Sequence, residues 1–470
     1  MRGMSTAALV FVALAWGAAS AQAGDKPGED LFKAAKKGDV AKITALLAAG
    51  IDVNTMDHDG RTPLIHAARE DRPAAVDALL AAGANVDVRD KDGRTALFEA
   101  AKEERLGMVE ALLAARANRD IQDKDGRSAL IESCRRHKWT VVLALVQAKA
   151  AINLQDRKGK TALMEACKED HVAVVEALLK AGARTDLRDD GGSTALLEAA
   201  NRNRVEIARR LLGAGAAPSV PNRYGDTPLA LASDPELVRS LLDAGAADEV
   251  RGSGLTLLTQ AARLDQAEKV VLLIQAGARV DAAADNGWTA LARAAEAGSA
   301  HAVHVLLESG ADPDVVVSPG SMTPLLLAAE RGDAATIASL LEADPRLNVT
   351  DGKGRTALMC AARASNNEAV KALVRAGARV NIRDDEGRTA LMHAAAEGRG
   401  DNTRVLLEAG ARQRIKDNDG MTALDHALKH KHDLVVKALQ GYSDRDERAR
   451  EGDDRRDTGN EPHQRHPSTR

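Results

Sequence analysis

The chain has 470 residues, with 65 Lys and Arg against 69 Asp and Glu and a formal net charge of −4. That balance excludes bulk attraction to nucleic acid or to an anionic membrane, and an aromatic content of 2 % suits a core packed through Ala and Leu. Length alone suggests two or three globular domains, a default that the internal pattern replaces.

The first element is a leader at residues 1–23. Arg2 gives a positive start, Ala7 to Ala18 is apolar, and Ala19-Ser20-Ala21 and Ala21-Gln22-Ala23 are both small-x-small cleavage sequences. This reads as a secretory signal peptide cut near Ala21 or Ala23, too short to span a bilayer as a helix. An uncleaved N-terminal anchor is the alternative. No cysteine lies near the cut, which argues against a lipoprotein. Ala- and Arg-rich usage with such a leader points to a bacterial periplasmic or secreted protein.

Residues 24–58 hold a short linker and a helix pair from Asp30 to Ala49, with Leu31, Ala34 and Ala35 and then Ile43, Leu46 and Leu47 on its apolar faces. It reads as a capping unit, since an end unit has a neighbour on one side only. From residue 59 one phrase recurs. Gly60-Arg61-Thr62-Pro63-Leu64-Ile65-His66-Ala67-Ala68 returns as Gly93-Arg94-Thr95-Ala96-Leu97-Phe98-Glu99-Ala100-Ala101 and continues to Thr422. Nine of the eleven steps between its threonines (once Ser128) are 33 residues; Thr227 to Thr256 is 29 and Thr289 to Thr323 is 34. A fixed period of this size means stacked units with one continuous core.

One unit can be derived from its residues. Thr62 stands where a helix N-cap belongs, and Pro63, like Pro228 and Pro324, takes the first helical position, where a missing N–H costs nothing. Leu64, Ala67 and Ala68 share a face. A second helix follows with Val76, Leu79 and Leu80, and Gly83 supplies a left-handed stop. A polar stretch then ends in the turn dipeptide Asp92-Gly93. Arg116 and Lys149 replace the stop glycine, so those sites hold either a left-handed non-glycine or a different turn.

Later units add irregularities. The sixth, at 225–251, lacks four residues, about one helical turn; Asp234-Pro235 caps its second helix early, and the short pair predicts a kink or a soft seam. One extra residue falls at Gly320-Ser321. Residues 443–470 carry eight acids, seven arginines and no Leu, Ile, Val or aromatic, and read as a disordered charged tail. His463 and His466 there read as polar residues. Cys134, Cys167 and Cys360 make no disulfide framework; adjacent stacked helices lie roughly 8–10 Å apart, beyond the ~7 Å reach of a bridge.

Gly-x-Thr-Pro/Ala-Leu-x-x-Ala-Ala followed by Leu-Leu-x-x-Gly-Ala-x-Val-x resembles the ankyrin repeat, over about Glu29 to Tyr442. The resemblance implies an all-α solenoid of about 12 full repeats (59–442) plus the N-terminal cap, with β-hairpin tips, and a role in protein recognition. It also implies that the residue between Gly and Thr faces the concave, ligand-binding side.

That column reads Arg61, Arg94, Arg127, Lys160, Ser193, Asp226, Leu255, Trp288, Met322, Arg355, Arg388, Met421. It contains a basic row, Arg61 to Lys160, and three successive apolar residues, of which Trp288 has the composition of an interface anchor. Leu255, Trp288, Met322, Arg355 and Arg388 join the basic row as expected partner-binding residues. A second column holds Glu99, Glu132, Glu165 and Glu198, with Lys102, Arg135, Lys168 and Asn201 three residues on; it reads as a self-neutralising ladder on a solvated face. No nucleophile, base and orienting group recur as a unique set, no Gly-rich phosphate loop is present, and His426 with His430 lacks a further metal ligand. The sequence therefore reads as a scaffold or adaptor for another exported protein, monomeric alone, with no enzyme activity, cofactor, metal, nucleic-acid partner or membrane span. A self-assembling structural protein is the alternative.

Overall fold

The computed structural model describes residues 27–247, 256–283 and 287–442. The leader, the charged tail with its two histidines, and Leu255 lie outside the described residues. The chain divides into two compact units between Ala246 and Ala247. The first stacks seven helix pairs, from Pro27–Lys37 with Val40–Ala48 to Pro228–Leu231 with Pro235–Asp243. The second stacks six, from Leu257–Arg263 with Ala267–Gln275 to Ala423–Lys429 with a helix at 433–442. Within each unit, first helices pack on first helices of adjoining pairs and second helices on second helices. None of the described helices is long and apolar enough to cross a membrane.

Each first helix begins as the sequence requires. The Thr62 hydroxyl accepts from the Ile65 N–H at 3.3 Å, and Thr95, Ser128, Thr161 and Thr194 repeat the bond. Two helical turns are marginal alone in water, so burial holds them. In Pro63–Arg69 every residue but the last is buried, because the partner helix covers one side and neighbouring repeats cover two more. Ala67, Ala68, Ala100 and Ala101 are fully buried; their single methyls let the helices approach. Leu79, Leu112, Leu145 and Leu178 fill the space against the second helices, also fully buried, each contributing about 1.5–3 kcal/mol.

The expected tips are tight hydrogen-bonded turns. Asp57 N–H donates to the Arg61 carbonyl and Gly60 N–H to the Asp57 carbonyl. Ladder pairing is confined, among the described residues, to isolated bridges at Val317–Met322 and Thr350–Thr356. One backbone bond joins each tip to the next: Lys91 N–H to Asp59 carbonyl, Lys124 to Asp92 and Arg157 to Asp125, all 2.8 Å.

In the shortened sixth repeat the first helix is four residues long, and Asp234 caps Pro235–Asp243 by accepting from Glu236 and Leu237. The preceding repeat braces the abrupt connection, since the Asn203 side-chain oxygen accepts from the Ser233 and Asp234 N–H groups. Cys134, Cys167 and Cys360 are free and buried, and burial raises the thiol pKa of each, to about 12 for Cys360.

The open question at Arg116 and Lys149 resolves to left-handed backbone, φ 61° at both. Both side chains are exposed. Arg116→Gly and Lys149→Gly are therefore expected to raise stability by roughly 0.5–1 kcal/mol each, the left-handed penalty less glycine's entropy. Urea midpoints that fail to rise would show that the backbone there carries no strain.

Candidate functional site

The variable column of the repeats is built on an aspartate that sits four residues before the Gly-x-Thr variable position. Its Oδ1 accepts two backbone N–H groups and fixes the turn. Asp57 takes Asp59 and Arg61, Asp90 takes Asp92 and Arg94, Asp123 takes Asp125 and Arg127, and Asp384 takes Glu386 and Arg388, all at 2.7–3.1 Å. The Oδ2 atom then faces the neighbouring side chains. In three repeats it meets a buried histidine at 2.7 Å: Asp57 with His66, Asp384 with His393, and Asp417 with His426.

Oδ2 also meets the variable-column cation, commonly that of the preceding repeat. Arg61 Nε lies 3.6 Å from Asp90, Arg94 Nε 3.9 Å from Asp123, Lys160 Nζ 3.6 Å from Asp189 and Arg388 Nε 3.8 Å from Asp417. Arg355 pairs within its own repeat to Asp351 at 2.7 Å and reaches Glu330 at 3.2 Å. The expected basic residues are thus half-buried and engaged in ion pairs.

The glutamate column departs from expectation. Glu99, Glu132 and Glu165 are buried rather than solvated, with Glu198 nearly so, because the first helix is enclosed on three sides. The sequence-adjacent cations do pair with them: Lys102 with Glu99, Arg135 with Glu132, Lys168 with Glu165. Glu198 instead receives Lys160 of the preceding repeat at 2.9 Å. Arg94 and Arg127 approach Glu99 and Glu132 at 3.6 and 3.8 Å. The two columns read separately in the sequence are one lattice, in which the glutamates lie beneath the cations and Asp92 and Asp125, more exposed than the arginines they pair with, lie at its outer edge.

Electrostatics follow from that layering. Burial pushes the Glu132 carboxyl up, but hydrogen bonds from Arg135 and Arg136 outweigh it, so the group stays below the usual range. Asp351 and Asp57 are likewise lowered by turn N–H donors and side-chain partners against burial. Asp123 is raised: burial dominates, and Arg94 Nε at 3.9 Å is too distant to donate.

His66 and His393 have lowered pKa values because burial outweighs the pull of their aspartates. Their unfolded forms take up protons that the folded forms refuse. Stability is then full above about pH 6.5, the ordinary histidine value, and is lost as pH falls below it. The unfolding free energy is expected to decline from pH 7.5 to 5.5, and His393→Gln to flatten part of that slope. A slope unchanged by the substitution would place the titration elsewhere.

The apolar part of the column is divided. Trp288 is half-buried, its Nε1 donates to the Ser318 carbonyl at 3.0 Å, and the Arg293 guanidinium lies 3.8 Å from its ring centroid, a cation–π arrangement. Met322 is 9 % exposed, so its side chain presents little surface to a partner. In the second unit Cys360 stands where other repeats carry glutamate, and a cavity of about 230 Å³ opens there between Glu330, Arg355, Arg363 and Glu397. Among the described residues Asp57, His58 and Asp59 bring candidate metal-ligand atoms within 4.8 Å of one another. However, Asp57 is committed to His66 and two backbone N–H groups and Asp59 pairs with Arg61.

The aspartate brace is not among the residues that the sequence pattern singles out, in which the Asp-Gly dipeptide two residues later marks the turn. Its signal was present: Asp57, Asp90, Asp123, Asp156 and Asp189 recur at the same 33-residue step. A second missed column, Asn54, Asp87, Asp120 and Asn153, accepts from backbone N–H groups of the following repeat at 2.7–2.8 Å.

Fold and surface together define a repeat protein whose framework residues are consumed by stacking and whose chemistry varies along one column. Models of the family described as ankyrin repeats (3 copies) match residues 31–119, 106–189, 233–317, 316–384 and 365–448, and one described as ankyrin repeats (many copies) matches 178–232. The chain belongs to the ankyrin-repeat family. A solved structure of the ankyrin repeat domain of Bcl-3, described as a unique member of the IkappaB protein family, is similar at 26 % identity. That match covers 47 % of this chain and 99 % of that one, with a TM-score of 0.42. No curated protein matches the chain. Ankyrin repeats generally mediate protein–protein interaction.

Proposed function

We propose that the chain is a binding scaffold that is exported after cleavage near Ala21 or Ala23 and holds another protein, itself exported, on its variable column. One observation carries the reading. The same aspartate brace sets the backbone in repeat after repeat, yet the braced residue changes among Arg, Lys and Met. Stacking demands the brace and leaves that side chain free to be chosen for a ligand. Arg61, Arg94, Arg127 and Lys160 serve the first unit in this way, and Trp288, Arg355 and Arg388 the second, while Leu255 joins them on its residue type alone and the buried Met322 does not. The mature chain works as a monomer and needs no cofactor.

N-terminal sequencing of the protein from a periplasmic fraction is expected to begin at residue 22 or 24; a cytoplasmic chain starting at Met1 would remove the export reading. Trp288→Ala is expected to weaken a captured partner by about 2 kcal/mol, the scale of an aromatic anchor, or roughly 30-fold, with circular dichroism unchanged. Undiminished capture would take Trp288 out of the interface.

A further inference from the structure

The turns at the repeat tips of the first unit present a second row of side chains, outside the variable column. Lys124, Arg157, Lys158 and Arg223 are all exposed, and none of their side chains has an ion-pair or hydrogen-bond partner among the described residues. Cations that pair with nothing in their own chain keep every donor for a ligand. The turns that carry them adjoin: Arg157 N–H donates to the Asp125 carbonyl at 2.8 Å, Asp190 N–H to the Lys158 carbonyl at 2.9 Å and Arg223 N–H to the Gly191 carbonyl at 2.8 Å. Lys124 to Arg223 is thus three steps between neighbouring repeats, each roughly the 8–10 Å of packed helices. Acids are sparse along the row. Asp125 is held by Arg127 at 3.1 Å, which leaves Asp190 as the exposed acid without a partner there, among the described residues. Tyr224, 85 % exposed, stands beside Arg223 at the end of the row; Tyr and Arg are both enriched at protein interfaces. In the second unit the same positions include Lys353, Asp385, Glu386, Asn418 and Asp419, so the cationic row belongs to the first unit. With a net charge of −4 on the whole chain, it is a local feature and not part of a generally basic surface.

We infer that this tip row docks a carboxylate-rich segment of the partner protein, with carboxylates set against Lys124, Arg157, Lys158 and Arg223 and a neutral or basic residue against Asp190. The inference rests on the scaffold reading and adds to it a surface and the chemistry of what that surface meets. An exposed ion pair is weak by itself, so recognition comes from matching the whole row, which sets orientation and on-rate more than raw affinity. Nucleic acid fits less well. Its affinity grows with the number of phosphates neutralised, the row is short, and the evenly charged backbone of a strand cannot avoid Asp190.

The test uses the mature chain and a fluorescent sixteen-residue synthetic peptide in which Glu alternates with Ser. Controls are the same peptide with Gln for Glu and a single-stranded oligonucleotide of equal charge. Anisotropy is expected to show the Glu peptide binding at least tenfold more tightly than either control, and at least tenfold more weakly in 300 mM than in 20 mM salt. Replacing all the cations of the row together, Lys124→Gln, Arg157→Gln, Lys158→Gln and Arg223→Gln, is expected to remove that preference and leave the melting temperature where it was, since no internal partner is lost. Arg157→Gln with Lys158→Gln is the milder variant and should weaken the peptide severalfold. Asp190→Asn is expected to strengthen binding about two- to threefold, and Lys353→Gln, at an exposed cation of the second unit, to leave it unchanged. Equal binding of the Gln peptide, tighter binding of the oligonucleotide, or undiminished binding by the fourfold variant would overturn the inference. Failure of the Glu peptide while partner capture through Trp288 persists would sink the tip row and leave the scaffold standing; failure of both would sink both.

Discussion

Asp384→Ala is expected to destabilise the second unit by about 2–4 kcal/mol, the cost of orphaning polar groups in and near a protein interior. The carboxylate accepts from Glu386 N–H at 3.1 Å, Arg388 N–H at 2.7 Å and His393 Nε2 at 2.7 Å. Its removal unties the turn and strands a buried imidazole in one step. A repeat array can open in parts, so amide hydrogen exchange is the suitable readout. A loss of about 3 kcal/mol corresponds to exchange roughly 100-fold faster in the turn and in Ala390–Ala396. Asp385→Ala, one residue along and exposed, is expected to change stability by less than about 0.5 kcal/mol. Equal effects at the two positions would show that the brace is not what fixes the turn.

Gly126→Ala is the second large effect, expected at about 2–4 kcal/mol. Gly126 has φ 76°, and a Cβ placed there would lie 2.8 Å from the Arg157 backbone nitrogen and 3.1 Å from the Asp156 carbonyl carbon, both in the next repeat. The left-handed backbone alone costs a side chain about 1–2 kcal/mol; the rest comes from prising two turns apart, which also strains the Arg157 to Asp125 bond. Gly182→Ala separates the two contributions. Its φ is 88° with nothing within 4 Å of the added carbon, so only the backbone part applies. If Gly182→Ala proves as costly as Gly126→Ala, close stacking of the turns contributes nothing.

Much of this fold was legible because a 33-residue period repeats every local signal many times. Thr62 as cap, Pro63 at the first helical position and Gly83 as stop each recur with known physical reasons. The shortened repeat was legible as well, since Asp234-Pro235 carries its own start signal. Depth was the part sequence could not convey. Glu132 and Arg135 at i,i+3 look like a solvated pair on any helix, and only stacking on both sides turns the glutamate inward. Lys160 shows the same limit: it meets Glu198, 38 residues away, a pairing that local spacing cannot reveal. Met322 read as a surface anchor by composition, but it lies beside the extra residue at Gly320-Ser321, where its backbone bridges to Val317.

The scaffold reading predicts that one face of a repeat meets another protein and the opposite face does not. Photo-crosslinking tests this most directly, with a benzophenone side chain placed at Arg61, in the variable column, or at Asp77, exposed on the following second helix. The account predicts a discrete adduct with one protein from position 61, competed by the purified partner, and none from position 77. Equal labelling from both positions, or none from either, would contradict it.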